Sequence, residues 1–141
     1  MKKEDNKTHK EIVIGIIKNS QNKILIINRL WQEKSMDGST SLTWVFPGGN
    51  IDEGETNEEA LAREIRNETG FKVSVGKMIS ERMHPQFPVK IHYYVCDLVP
   101  SSMRPIVDVH EVESTKWVPV EELKDYFTTD IDPGVSKYLG L

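Results

Sequence analysis

Residues 49–71 read Gly-Asn-Ile-Asp-Glu-Gly-Glu-Thr-Asn-Glu-Glu-Ala-Leu-Ala-Arg-Glu-Ile-Arg-Asn-Glu-Thr-Gly-Phe. Thr56 followed by Glu59 is a capping-box pattern, so a helix is expected to begin there. Gly70 supplies the left-handed residue that ends it. Between these caps, Leu61, Ala62 and Ile65 form an apolar stripe at helical spacing. Glu64 and Glu68 stand four apart and project from one face. Asn67 lies on the neighbouring edge. Two carboxylates crowded on one helical face repel each other unless a cation lies between them. Carboxylate oxygens are hard ligands, suited to Mg²⁺ or Mn²⁺ rather than zinc.

The competing reading is a solvated face, because Arg63 and Arg66 can pair with glutamates at helical spacing. The preceding segment shifts the balance. Phe46-Pro47-Gly48-Gly49 leads from an apolar stretch into the loop before the helix. Paired glycines let backbone approach a ligand closely and expose a carbonyl or amide to it. Loop, caps and spacing together point to a metal site.

The same stretch resembles the Nudix box, whose pattern is G-x5-E-x7-R-E-U-x-E-E-x-G-U, with U a bulky apolar residue. Gly49, Glu55, Arg63, Glu64, Ile65, Glu68, Gly70 and Phe71 fall in register. Asn67 departs, standing where the family usually has a glutamate. The resemblance implies an enzyme that cuts a diphosphate linkage with the help of divalent metal. It also implies an α+β fold, an α/β/α sandwich with a mixed sheet. It extends to the first strands, the Gly-Gly loop and a late Trp-Val-Pro-Val-Glu-Glu-Leu segment. The branch it is most similar to is the MutT type, which cleans oxidised nucleoside triphosphates.

At 141 residues, with 38% hydrophobic and 28% charged content, one globular domain with a real core is expected. Residues 1–10 read as a flexible tail and residues 11–141 as a single Nudix domain. The net charge of -4 argues against an extended nucleic-acid surface, which needs clustered Lys and Arg. A small nucleotide-type substrate needs only a few local cations plus metal. The single cysteine, Cys96, cannot form an internal disulfide and reads as a packing residue. No apolar run approaches membrane-spanning length, and the polar start is unlike a secretory signal. A cytoplasmic protein is expected, monomer or homodimer.

Ile12-Val13-Ile14-Gly15-Ile16-Ile17 and Lys23-Ile24-Leu25-Ile26-Ile27 are β-branched runs joined by Asn19-Ser20-Gln21-Asn22. They read as a hairpin buried on both faces. Residues 31–43 are polar and read as an exposed loop. Strands are expected over 71–82, 89–99 and 115–118, with a turn at His84-Pro85-Gln86-Phe87-Pro88. Pro119 is placed to open a helix through Phe127, and residues 134–141 a last short one.

What the resemblance implies for single residues is specific. Glu64 and Glu68 become metal ligands, one of which helps activate the attacking water, and the Gly48 carbonyl a further ligand. Arg63, the third catalytic candidate, holds the box loop by pairing with Glu55. Glu111 matches an added acidic ligand from a later loop, with Glu113 the runner-up. Arg29 matches a phosphate-contacting arginine. Phe87-Pro88 resembles a turn near the base pocket. Phe87, Trp31 or Trp44 would stack on a base, although aromatics more often simply bury area. The branch reads oxidised guanine partly through an asparagine near the C-terminal helix. The corresponding stretch here, Thr129-Asp130-Ile131-Asp132-Pro133, has none, and leaves Asp130 or Asp132 as acceptors. Two other readings stay open: a nucleotide-sugar or dinucleotide polyphosphate hydrolase, and a non-catalytic nucleotide-binding module, which Asn67 alone favours.

Overall fold

The computed structural model describes residues 10–34, 38, 41–100 and 112–141. The order is β1 (Lys10–Ile17), β2 (Lys23–Lys34), β3 (Ser41–Val45), β4 (Gly48–Asn50), α1 (Asn57–Thr69), β5 (Val73–Met83), β6 (Val89–Leu98) and β7 (Val112–Pro119). A 3₁₀ turn (Val120–Glu122), α2 (Leu123–Tyr126) and α3 (Pro133–Leu139) follow. The first strand starts at Lys10, one residue inside the expected tail.

Two sheets form. The mixed sheet runs β4-β1-β6-β5, with β1 and β6 parallel and the other pairs antiparallel. The second is antiparallel, β3-β2-β7. The expected β1–β2 hairpin is therefore corrected. Its turn is tight: the Asn19 side chain accepts the Gln21 and Lys23 N–H groups, each at 2.9 Å. Beyond it only one bridge, Lys18 to Ile24, joins the two runs. Each strand then takes two other neighbours, so their ladders diverge.

Burial on both faces holds, and it explains the continuous apolarity. Val13, Ile17 and Leu25 enter one core cluster with Leu61, Ile65 and Cys96. The alternate residues Ile16, Ile24 and Ile26 enter a second with Phe46, Tyr93, Leu123 and Val135. The strands thus separate two cores, one beneath α1. Fully burying aliphatics such as Leu61 and Ile65, both at 0% exposure, stabilises by roughly 1.5–3 kcal/mol each.

The helix α1 forms as its caps dictate. Thr56 accepts the Glu59 N–H and Glu59 reaches back to the Thr56 N–H. Gly70 closes the end at φ 80°, its N–H on Arg66 O. The polar stretch after residue 30 is a second correction. It is not all loop, because β2 continues to Lys34 and pairs Glu33 with Leu42 and Lys34 with Ser41. Backbone ladders carry that pairing. No described helix is long and apolar enough to cross a membrane.

Candidate active site

A cavity of about 460 Å³ opens along one face of the mixed sheet. Lys10, Ile12 and Ile14 of β1 line it, as do Gly48, Gly49, Glu64 and Glu68. Ile14 pairs with both Gly48 and Tyr93, whereas Lys10 pairs with Val89. The cavity therefore spans four residue steps along β1, roughly 13 Å, from the α1 carboxylates to the β5–β6 turn.

The acidic end is built by close approach. Gly48 lies so near β1 that a side-chain carbon on it would meet Val13 O at 2.0 Å. One on Gly49 would meet the Glu64 carboxyl at 2.6–2.8 Å. The two glycines thus let α1 carry its carboxylates against the β4 backbone. Glu68 is 4% exposed, and its Oε1 accepts the Gly48 N–H at 2.9 Å. A carboxylate this buried costs free energy unless polar partners or a cation compensate. Asn67 is half-buried and lies outside the cavity lining.

Arg63 clamps the loop before α1. Its Nε and Nη2 donate to Glu55 at 2.7 and 2.9 Å, and Nη2 also reaches Asn50 O at 3.2 Å. Asp52 lies at 3.3 Å. From the same guanidinium, Nη1 reaches Glu64 Oε2 at 3.3 Å. This pairing holds the Glu55 carboxyl down at about 2, aided by the Asp52 N–H, and pushes the Arg63 guanidinium up. Arg63 does not line the cavity. It acts on the site by fixing Glu64 and the loop.

The donor set suits a hard cation in type, being two carboxylates against a glycine backbone. Among the described residues, no three acidic, His or Cys side chains converge as a metal-holding group. Glu111 lies outside the described residues. Arg29 and Trp31 lie in β2, and Glu113 in β7, but their side chains are not described. Phe87, 4% exposed, lines the cavity. So does Trp44, which packs edge-on to Tyr126 at 5.6 Å.

Asp130 and Asp132 are not idle acceptors. Arg82 donates to both Asp130 oxygens, at 3.1 and 3.0 Å. Its Nε lies 3.1 Å from Asp132 Oδ1, although the N–H points too far aside to count as a hydrogen bond. Asp132 Oδ2 caps α3 through the Val135 N–H at 3.1 Å. Arg82 and His84 escape a sequence reading, since neither belongs to a recognisable motif. Burial pushes the Cys96 thiol up to about 12, in keeping with a packing role.

The NUDIX domain model matches residues 8–138. The chain belongs to the NUDIX domain family. It is 29% identical to Nudix hydrolase 8 of Arabidopsis thaliana, aligned over 83% of this chain and 31% of that one. It is 38% identical to an 8-oxo-dGTP diphosphatase of Haemophilus influenzae, over 57% of this chain and 55% of the relative. The chain thus spans between about a third and about half of these relatives' lengths. The crystal structure of a MutT protein from Methanosarcina mazei superposes with a TM-score of 0.66 at 20% identity, covering 96% of this chain and 93% of that one. That likeness concerns the NUDIX fold.

Proposed function

We propose that this NUDIX protein is a divalent-metal-dependent hydrolase of a diphosphate linkage in a nucleoside diphosphate derivative. The preferred substrate class is a nucleoside triphosphate, oxidised or not, which with one water gives the monophosphate and pyrophosphate. The observation that carries this is the pair Glu64 and Glu68 at one end of a cavity that Ile12, Ile14, Trp44, Phe46 and Phe87 also line. The 8-oxo-dGTP diphosphatase relative supports the choice of substrate class.

Glu64, Glu68 and the Gly48 carbonyl would hold Mg²⁺, or Mn²⁺, with Glu111 completing the set. When bound, the ion neutralises phosphate oxygens and lowers the pKa of a water. Gly48 N–H orients the Glu68 carboxylate, and Arg63 orients Glu64. Either glutamate can take the proton of the attacking water. Arg29 adds a cation for the departing phosphate. Phe87 and Trp44 offer aromatic surface to a base.

The test is a panel of nucleoside triphosphates, nucleotide sugars and dinucleotide polyphosphates, each with Mg²⁺ and ranked by kcat/KM. Highest values on a triphosphate, with monophosphate and pyrophosphate as products, are expected. A nucleotide sugar or dinucleotide leading the ranking would move the substrate class. No turnover of any compound would leave a nucleotide-binding module.

A further inference from the structure

The end of the cavity remote from the glutamates holds a polar group that the proposed chemistry does not use. His84 lies in the β5–β6 turn, lines the cavity and is 9% exposed. Its Nδ1 accepts the Gln86 N–H at 3.0 Å. An imidazole nitrogen that accepts an N–H carries no proton, so the neutral ring bears its hydrogen on Nε2. The two charged groups that act on the ring, Arg82 and Asp130, are joined to each other. Neither takes the Nε2 proton. Burial and the Arg82 charge push His84 below its ordinary value, which keeps the ring neutral at about pH 7.

Among the described residues, the one buried side-chain nitrogen or oxygen without a hydrogen-bond partner is Arg82 Nε. The unpartnered His84 Nε2 is therefore not fully sealed in protein, and His84 is a lining residue of the cavity. Phe87 stands edge-on to that ring, centroids 4.9 Å apart. The turn thus presents an aromatic surface and an N–H donor side by side. The roughly 13 Å from the glutamates is a reach suited to a nucleoside whose phosphates lie at α1.

We propose that His84 is a specificity-determining residue whose Nε2–H donates to an acceptor on the edge of the substrate's base, a carbonyl oxygen or an unprotonated ring nitrogen. This rests on the nucleotide reading of the cavity but not on catalysis. A base that presents only an amino group to Nε2 meets donor against donor and is disfavoured, since an unpaired polar group then stays buried.

Two substitutions separate the ring's two jobs. In His84→Asn the amide oxygen replaces Nδ1, keeps the Gln86 N–H as an Asx turn does, and falls short of the Nε2 position. In His84→Gln the amide nitrogen reaches the Nε2 position. The measurement is calorimetric binding of the four nucleoside 5′-monophosphates and of ribose 5-phosphate, with Mg²⁺ present throughout. The wild-type protein should bind at least one monophosphate more tightly than ribose 5-phosphate. His84→Asn, with its Tm unchanged, should weaken that monophosphate about tenfold, or about 1.4 kcal/mol, and leave ribose 5-phosphate alone. His84→Gln should restore most of the loss. Equal weakening of both ligands, no weakening, or a wild type with no preference over ribose 5-phosphate would overturn the assignment. A protein that gives the expected binding pattern yet hydrolyses no diphosphate keeps it, and refutes the activity instead.

Discussion

Asn67 follows Glu64 by three residues and precedes Glu68 by one, half-buried on the neighbouring edge of α1 and outside the cavity lining. An amide there contributes no charge to the metal end. Replacing it with glutamate adds a third carboxylate beside the other two and deepens the negative potential felt by a divalent ion. Asn67→Glu should therefore lower the Mg²⁺ concentration that gives half-maximal rate. The same crowding disfavours joint ionisation, so the gain should shrink between about pH 8 and about pH 6. Metal titrations of both proteins at the two pH values read this directly. Identical half-saturation throughout would mean that position 67 does not feel the ion. At this scale the sequence is uneven. Glu64 and Glu68 are legible because a helix converts a spacing of four into one face. Arg82 is not, because its meaning comes from Asp130, a residue 48 positions away, and no local pattern announces such a pair. His84 is hidden likewise, since only the folded turn decides which ring nitrogen meets Gln86 N–H.

The loop before α1 is held chiefly by Arg63, which bridges Glu55, Asp52, Asn50 and Glu64. Arg63→Met removes all four contacts at once. It should lower kcat about tenfold by letting Glu64 drift from its working position, with a smaller change in KM. A variant that alters KM alone would place Arg63 on the substrate instead. The clamp also has a pH signature. Glu55 falls from its ordinary 4.5 to about 2 in the folded protein, so folding favours its charged form. Its stabilisation is complete above about pH 5 and is lost as pH falls through about 2. The Tm difference between wild type and Arg63→Met should narrow over that window. A difference that stays constant down to pH of about 2 would show that the Glu55 pairing is not what the substitution removes. Elements differ in legibility for a physical reason. The α1 caps are local chemistry and hold as read. The β1–β2 hairpin fails because pairing partners are chosen by the whole sheet. The end of β2, Gln32-Glu33-Lys34, is polar and joined by a backbone ladder, so it leaves no apolar period to read, whereas β3 does carry one in the alternation Ser41-Leu42-Thr43-Trp44.

Across the whole molecule, β1 lies between β4 and β6 and lends residues to both cores. Its Lys10, Ile12 and Ile14 floor the cavity, while Val13 and Ile17 pack beneath α1. The helix that carries the carboxylates is thus fixed by the same strand that would support the base. Family and fold class were legible from the box alone. Reaction, metal and substrate rest on what the two glutamates do, so the direct test is hydrolysis of a nucleoside triphosphate by wild type and Glu68→Gln, each with Mg²⁺ and with excess EDTA. The Gln side-chain oxygen can still accept the Gly48 N–H, so the fold and Tm should survive. Wild type should release pyrophosphate with Mg²⁺ and stop in EDTA, and Glu68→Gln should lose at least about a hundredfold in kcat. Full turnover in EDTA, or a Glu68→Gln variant with normal kcat and normal Tm, would contradict a metal site on this helix.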